Sequence, residues 1–129
     1  MSAVTVRYIV DDVDAAIAFY VDQLGFRLIM HPAPPFALLS FGELRLALSA
    51  PNSAPGGGQE MPDGRRPEPG GWNRFQIEVA DIESVVATLR RNGVRFRNDV
   101  VHGVGGKQIL LDDPSGNPVE LFEPAERSS

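Results

Sequence analysis

Lys107 to Glu123 reads KQILLDDPSGNPVELFE. Its two apolar flanks, Ile109-Leu110-Leu111 and Val119-Glu120-Leu121-Phe122, carry β-forming residues around a turn. Asp113-Pro114-Ser115-Gly116-Asn117 supplies that turn: proline presets φ, and glycine and asparagine tolerate positive φ. Glu120 is the odd residue, a carboxylate inside an apolar strand. Strand side chains alternate faces, so Val119 and Leu121 share one face and Glu120 and Phe122 the other. With the first face in the core, Glu120 looks into water or into a pocket.

The 129 residues suit one compact domain. A formal net charge of −5 argues against nucleic acid or an anionic membrane as a partner. The chain has no cysteine, which removes disulfides, a thiol nucleophile and thiolate metal sites. No apolar run is long enough to span a bilayer. The opening MSAVTVRYIVDDVD lacks a basic region followed by a long apolar core, so the expectation is a cytoplasmic protein with no membrane partner.

Val4 to Val10 alternates as a strand, with Val4, Val6, Tyr8 and Val10 on its apolar face and Thr5, Arg7 and Ile9 on the other. Asp11 or Asp12 caps a helix whose stripe is Val13, Ile17, Tyr20, Val21 and Leu24, and Gly25 closes it. Phe26 to Met30 starts a second strand, which His31-Pro32-Ala33-Pro34-Pro35 interrupts. Phe36–Ser40 and Leu44–Leu48 form a hairpin around Phe41-Gly42-Glu43. Pro51 to Trp72 holds five prolines and six glycines, half of its 22 residues. It reads as a solvated linker, or alternatively as a lid or partner arm using Met61, Arg65, Arg66 and Trp72. Arg74 to Val79 alternates again. Asp81 caps a helix with the stripe Ile82, Val85, Val86 and Leu89, which Gly93 ends, and Val94–Arg97 begins another strand. Glu126 to Ser129 is a polar tail.

The two halves repeat. Val10, Asp12 and Asp14 match Val79, Asp81 and Glu83 at a constant offset of 69. Each half reads β-α-β-β-β, too small to bury its own sheet. The expected solution is an α+β fold of two βαβββ modules, a cup-shaped curved mixed sheet with helices outside and a concave face for ligands.

The segments VDDVDAAIAFYVDQLGF, VADIESVVATLRRNG and DPSGNPVELFEP resemble the vicinal oxygen chelate superfamily, which includes glyoxalase I, bleomycin-resistance proteins, fosfomycin-resistance proteins and extradiol dioxygenases. With their strands these segments cover nearly the whole chain outside the linker and tail. The resemblance implies a single glyoxalase/bleomycin-resistance-like domain over residues 1–129, with modules 4–50 and 72–124 and a linker at 51–71. It also implies a homodimer, a partnership that the apolar residues of Val4–Val10 and Trp72 support.

Metal-dependent relatives hold a divalent ion with residues early in the first and fifth strands and a glutamate in the last. By resemblance these positions fall on Thr5, Arg74 and Glu120. Some relatives add a ligand from the fourth strand, and Leu46-Ala47-Leu48 offers none. A divalent ion needs several converging oxygen or nitrogen donors. Thr5 is a poor one, and a guanidinium has no lone pair to give. No resident metal is therefore expected. Arg74 instead pairs with Glu120, either neutralising two charges or binding an anionic group together with Arg7. Gln76 shares the Arg74 face, and Glu78 at the strand end is solvated or paired. His31 and His102 read as surface loop residues, His102 being the better functional candidate. Gly103, Gly105 and Gly106 carry no phosphate-loop pattern. Ser49 and Ser53 lack a neighbouring His-Asp arrangement.

Three functions follow as expectations. The first is a binding protein of the bleomycin-resistance type, holding a small, partly apolar or anionic molecule with Thr5, Arg7, Arg74, Gln76 and Glu120. The second is a metal-dependent lyase, isomerase or dioxygenase with an unusual ligand set using Glu120, completed by His102 or Gln76. The third is a structural or regulatory module with a filled cup.

Overall fold

The computed structural model describes residues 4–51 and 57–126. Ser53, the 52–56 part of the linker, the opening residues 1–3 and the last three residues of the tail lie outside the described residues. The chain divides into two compact units: Met1–Gly70 with Pro114–Asn117, and Gly71–Asp113 with Pro118–Ser129.

The first unit holds β1 (Val4–Ile9), α1 (Val13–Leu24), β2 (Arg27–Ala33), β3 (Phe36–Phe41) and β4 (Leu44–Ser49), with sheet order β1-β4-β3-β2. β1 runs parallel to β4, and the other neighbours are antiparallel. β4 is central, and Leu46, Ala47, Leu48 and Ser49 are all buried, both faces being covered. Asp12 caps α1, its carboxylate accepting from the Ala15 N–H at 3.0 Å, and Gly25 closes the helix at φ 79°. The buried face of α1 is Val13, Ala16, Phe19 and Tyr20, whereas Ile17, Val21 and Leu24 are half-buried. Phe19 and Tyr20 meet edge to face at 5.1 Å, and Tyr20 meets Phe26 at 5.2 Å. This aromatic cluster turns the helix face away from the stripe expected from spacing.

Two strand expectations need correction. β2 continues through His31 and Pro32 instead of stopping at Met30. Its register against β3 shifts between Leu28 and Met30 and again between Met30 and Ala33, so extra residues are accommodated as bulges. On an edge strand a proline removes no needed ladder bond. Of the apolar face expected for β1, Tyr8 and Val10, the latter just past the strand, are buried, while Val6 is half-buried and Val4 is 66% exposed.

The second unit holds β5 (Gln76–Glu78), α2 (Ile82–Arg91), β6 (Arg95–Phe96), β7 (Val101–His102), β8 (Gly106–Asp112) and β9 (Pro118–Pro124). The order is β5-β9-β8-β6, with β7 also pairing β8. β5 is parallel to β9 in the register Gln76↔Glu120, Ile77↔Leu121 and Glu78↔Phe122. The regular strand thus starts two residues later than the alternation at Arg74 suggests. Ile109, Leu111, Val119 and Leu121 are buried at 1% exposure or less, and α2 buries Ile82, Val86 and Leu89. Asp81 caps α2 by accepting from the Ser84 N–H at 3.2 Å, and Glu123 of β9 accepts from the Ile82 N–H at 2.9 Å. Among the described residues, no helix is long and apolar enough to cross a membrane.

The Pro114–Asn117 turn does more than reverse the chain. Asn117 is 3% exposed; its Nδ2 donates to the Ile9 carbonyl at 2.7 Å and its Oδ1 accepts from the Gly70 N–H at 2.7 Å. Ser115 Oγ accepts from the Asp11 N–H at 2.9 Å. One buried amide therefore satisfies the end of β1 and the end of the long loop at once. Asn117→Ala leaves a carbonyl and an N–H without these partners and is expected to lower unfolding free energy by about 1–3 kcal/mol, read by urea denaturation.

Candidate functional site

The site grows from the β5–β9 ladder. Val119 and Leu121 are buried on one face of β9, and Glu120 projects from the other with only 7% exposure. It faces a set of hydrogen-bond donors. A buried carboxylate without partners is strongly disfavoured, so its neighbours are dictated. The register puts Gln76 beside it, and Gln76 Nε2 donates to Glu120 Oε2 at 2.6 Å. Arg74, two residues before Gln76, reaches the other oxygen: Nε donates to Glu120 Oε1 at 3.0 Å, and Nη2 stands 2.9 Å from the same oxygen. Arg74 thus clasps one oxygen, which leaves Oε2 for Gln76.

Arg74 is held from behind as well, its Nη1 donating to the Trp72 carbonyl at 3.1 Å. Its side chain is 31% exposed against 9% for that of Glu120, so the pair has a buried anionic end and a cationic end that reaches water. A guanidinium carries five N–H donors, and these contacts engage three of them.

Arg74, Gln76 and Glu120 are thus brought together. Thr5 and Arg7 stand in β1 of the first unit, opposite Arg45 and Ala47 of β4. The backbone of Gly57, at φ 87°, lies so close over the Arg7 guanidinium that a Cβ there would overlap it. The positive φ favours glycine there, and a side chain would push the Arg7 guanidinium aside. Glu78 is exposed on β5.

The histidines lie on strands rather than in loops. His31, in β2, has Nε2 3.9 Å from Asp14 Oδ1. His102, in β7, lines a cavity of about 500 Å³ with Lys107, Glu123, Gly103 and Gly106. Beside this cavity Lys107 Nζ sits 3.0 Å from Glu83 and 3.8 Å from Glu123. The Lys107 hydrogen bond holds the Glu83 carboxyl below the usual carboxylate range, and Glu83 in turn raises Lys107. Asp81, Glu83 and Glu123 offer carboxylate oxygens within 4.8 Å of one another. The sequence reading took Asp81 and Glu83 only as a cap and a repeat marker. Their proximity to Glu123 depends on strand order, which no local signal reports.

With this geometry in view, residues 3–121 match the family model described as Glyoxalase/Bleomycin resistance protein/Dioxygenase superfamily. The chain belongs to that superfamily. No curated protein matches the sequence. Among solved structures, it is similar to a member of the same superfamily from Sphaerobacter thermophilus DSM 20745, at 27% identity and a TM-score of 0.75, covering 95% of this chain and 97% of that one. It also shares its fold with lactoylglutathione lyase from Agrobacterium tumefaciens, at 20% identity and a TM-score of 0.72 over 95% of this chain and 92% of that one. The same holds for TnmS3, an antibiotic binding protein from Streptomyces sp. CB03234, at 23% identity and a TM-score of 0.72 over 97% and 98%. These likenesses show the α+β fold, with a βαβββ module in the first unit and one carrying the additional strand β7 in the second.

The two ends of the Arg74–Glu120 pair respond differently to substitution. Arg74→Ala leaves a buried carboxylate with Gln76 in place of a cation and is expected to cost about 3 kcal/mol. Glu120→Gln leaves an arginine that water can reach and is expected to cost about 1 kcal/mol. Equal losses in parallel denaturation curves would contradict this account of the pair.

Proposed function

We propose that this protein binds a small organic molecule, partly apolar or anionic, without a resident metal. Arg74 and Gln76 are its polar contacts in the second unit, and Glu120 holds both of them in place. The observation that carries this reading is the guanidinium of Arg74. It is fixed by Glu120 and the Trp72 carbonyl, it is partly exposed, and N–H donors remain beyond those contacts. Such a cation is pre-oriented for a carboxylate, phosphate or enolate, and little side-chain entropy is lost on binding. Because Glu120 neutralises it, the pair orients an acceptor group rather than attracting any anion at long range.

The donor set at the positions the superfamily uses for a metal does not fit one. Threonine is a weak ligand, arginine has no lone pair, and both oxygens of Glu120 already accept hydrogen bonds. Membership of a superfamily that includes bleomycin resistance proteins supports the binding reading, as does a neighbour described as an antibiotic binding protein. The proposal includes a cytoplasmic homodimer. Leu28, Ile29 and Met30 on the edge strand β2, each nearly half exposed, support the pairing of two copies, and sedimentation equilibrium at twice the chain mass checks it.

The test has two arms. Native protein purified without chelator, together with Glu120→Gln, goes to elemental analysis. The expected result is no stoichiometric Fe, Mn, Ni, Co or Zn in either; a stoichiometric metal that Glu120→Gln loses would sink the reading. A panel of aromatic carboxylates and phosphates, benzoate and phenyl phosphate first, is then titrated against Trp72 emission. Saturable binding that weakens about tenfold in Arg74→Gln is expected. A panel without any saturable binder at millimolar concentration would count against it.

A further inference from the structure

Arg97 is a residue that the sequence reading passed over as part of a strand, and its contacts converge on the chain entering the Glu120 site. Its Nε donates to Asp112 Oδ1 at 2.6 Å. Its Nη1 donates to the Gly71 carbonyl at 2.7 Å. Its guanidinium carbon lies 4.7 Å from the centre of the Trp72 ring. Trp72 in turn presents the carbonyl that Arg74 Nη1 grips at 3.1 Å, and Arg74 holds Glu120. The contacts therefore run in series from Asp112 through Arg97, the Gly71–Trp72 backbone and Arg74 to Glu120. All of these residues belong to the second unit.

Three features make Arg97 the controlling member of this series. Asp112 is fixed by the sheet, since it pairs with Arg95 across β6 and β8. Arg97 and Asp112 have only 18% and 24% of their side chains exposed, so their contact is sheltered from water. By contrast the segment they hold has no regular structure, and on its N-terminal side it is fastened through the Gly70 N–H to Asn117 Oδ1 at 2.7 Å. Gly70 and Gly71 both sit at positive φ, 106° and 93°, where glycine is free to adopt many alternatives, and the Trp72 side chain is largely in water with the residue 69% exposed. Local preference and burial do not set the Trp72 carbonyl; an external fastening has to.

We infer that Arg97 is a positioning residue, which fixes the Gly71–Trp72 backbone so that the Trp72 carbonyl orients the Arg74 guanidinium onto Glu120. Its effect on ligand affinity rests on the proposed binding function; its effect on Arg74 does not. Arginine suits the task because one planar group can donate in two directions and stack on an indole together. Lysine keeps the charge and one bond to Asp112 but cannot make all three contacts.

The chain contains a single tryptophan, so emission reports Trp72 alone. Acrylamide quenching of that emission is measured in the wild type and Arg97→Lys. The exchange rate of the Arg74 Nε–H proton is followed by nitrogen-edited NMR, the resonance being assigned by its loss in Arg74→Lys. In Arg97→Lys, quenching is expected to rise about twofold and Arg74 Nε–H exchange to accelerate about tenfold, as for a local opening in an otherwise native fold. Unchanged far-ultraviolet circular dichroism accompanies both. Higher quenching with unaltered Arg74 exchange would overturn the inference, leaving Arg97 as an anchor of the loop alone. Should Arg97→Lys not fold, Asp112→Asn keeps Arg97 and removes the charge that anchors it. A smaller acceleration of Arg74 exchange is then expected, and none would overturn the inference. A benzoate titration separates this result from the function itself. Absence of benzoate binding to wild type bears on the binding reading, while the exchange data decide the role of Arg97 in either case.

Discussion

The buried carboxylate of Glu120 is the constraint from which the second unit's arrangement follows. β9 lies between β5 and β8, and Glu120 on it is buried. A negative charge placed there needs donors within hydrogen-bond range, and mobile solvent cannot supply them. The parallel ladder to β5 delivers Gln76 by register alone. It cannot deliver Arg74, which precedes the regular strand. Arg74 is instead stationed by side-chain and carbonyl contacts, and these draw in the Trp72 backbone and then Arg97. One charge in a central strand thereby determines the conformation of a segment outside the sheet.

The long Pro/Gly-rich connection shows how this kind of order escapes composition. Prolines and glycines forbid helix and strand, and the described part of the connection contains neither. It is nevertheless tied down by specific contacts. Met61 and Arg65 close a turn, with the Met61 N–H donating to the Arg65 carbonyl at 2.7 Å. Glu60 and Arg66 pair at 3.2 Å and Asp63 and Arg65 at 2.8 Å, so those arginines are engaged within the loop. Gly57 lies against Arg7, and Gly70 donates to Asn117. Breakers exclude regular elements; they do not exclude a fixed path.

The repeat, the two helix caps and the turn at Pro114–Asn117 were legible because each is a local rule. Asp12 and Asp81 act on residues three positions on, and Gly25 needs only its own φ. The pairing of Arg74 with Glu120 was legible too, because the family resemblance assigns both residues to neighbouring positions of one site. Other features were not, for one shared reason. The path of β2 through Pro32 depends on its being an edge strand, and the buried face of α1 includes Tyr20, which packs on Phe26. Asn117 looked like a turn residue because its partners, Ile9 and Gly70, are far away in sequence. Arg97 looked like a strand residue because its salt bridge to Asp112 exists only once β6 lies beside β8. Each depends on which elements become neighbours, information that periodicity does not contain.

On the proposed function, an arginine at the position that the resemblance assigns to a metal ligand changes the kind of recognition available. A divalent ion polarises whatever donor it accepts, and it accepts many geometries. A guanidinium offers a plane of N–H groups and a spread charge, so it discriminates by direction. Direction has value only if the plane is fixed. Glu120 fixes one edge of Arg74 and the Trp72 carbonyl fixes another, which leaves its remaining donors in a defined orientation. The backbone at Gly71–Trp72 thus sets the angle of the cation, and Arg97 and Asp112 fasten that backbone from outside the Arg74–Glu120 pair.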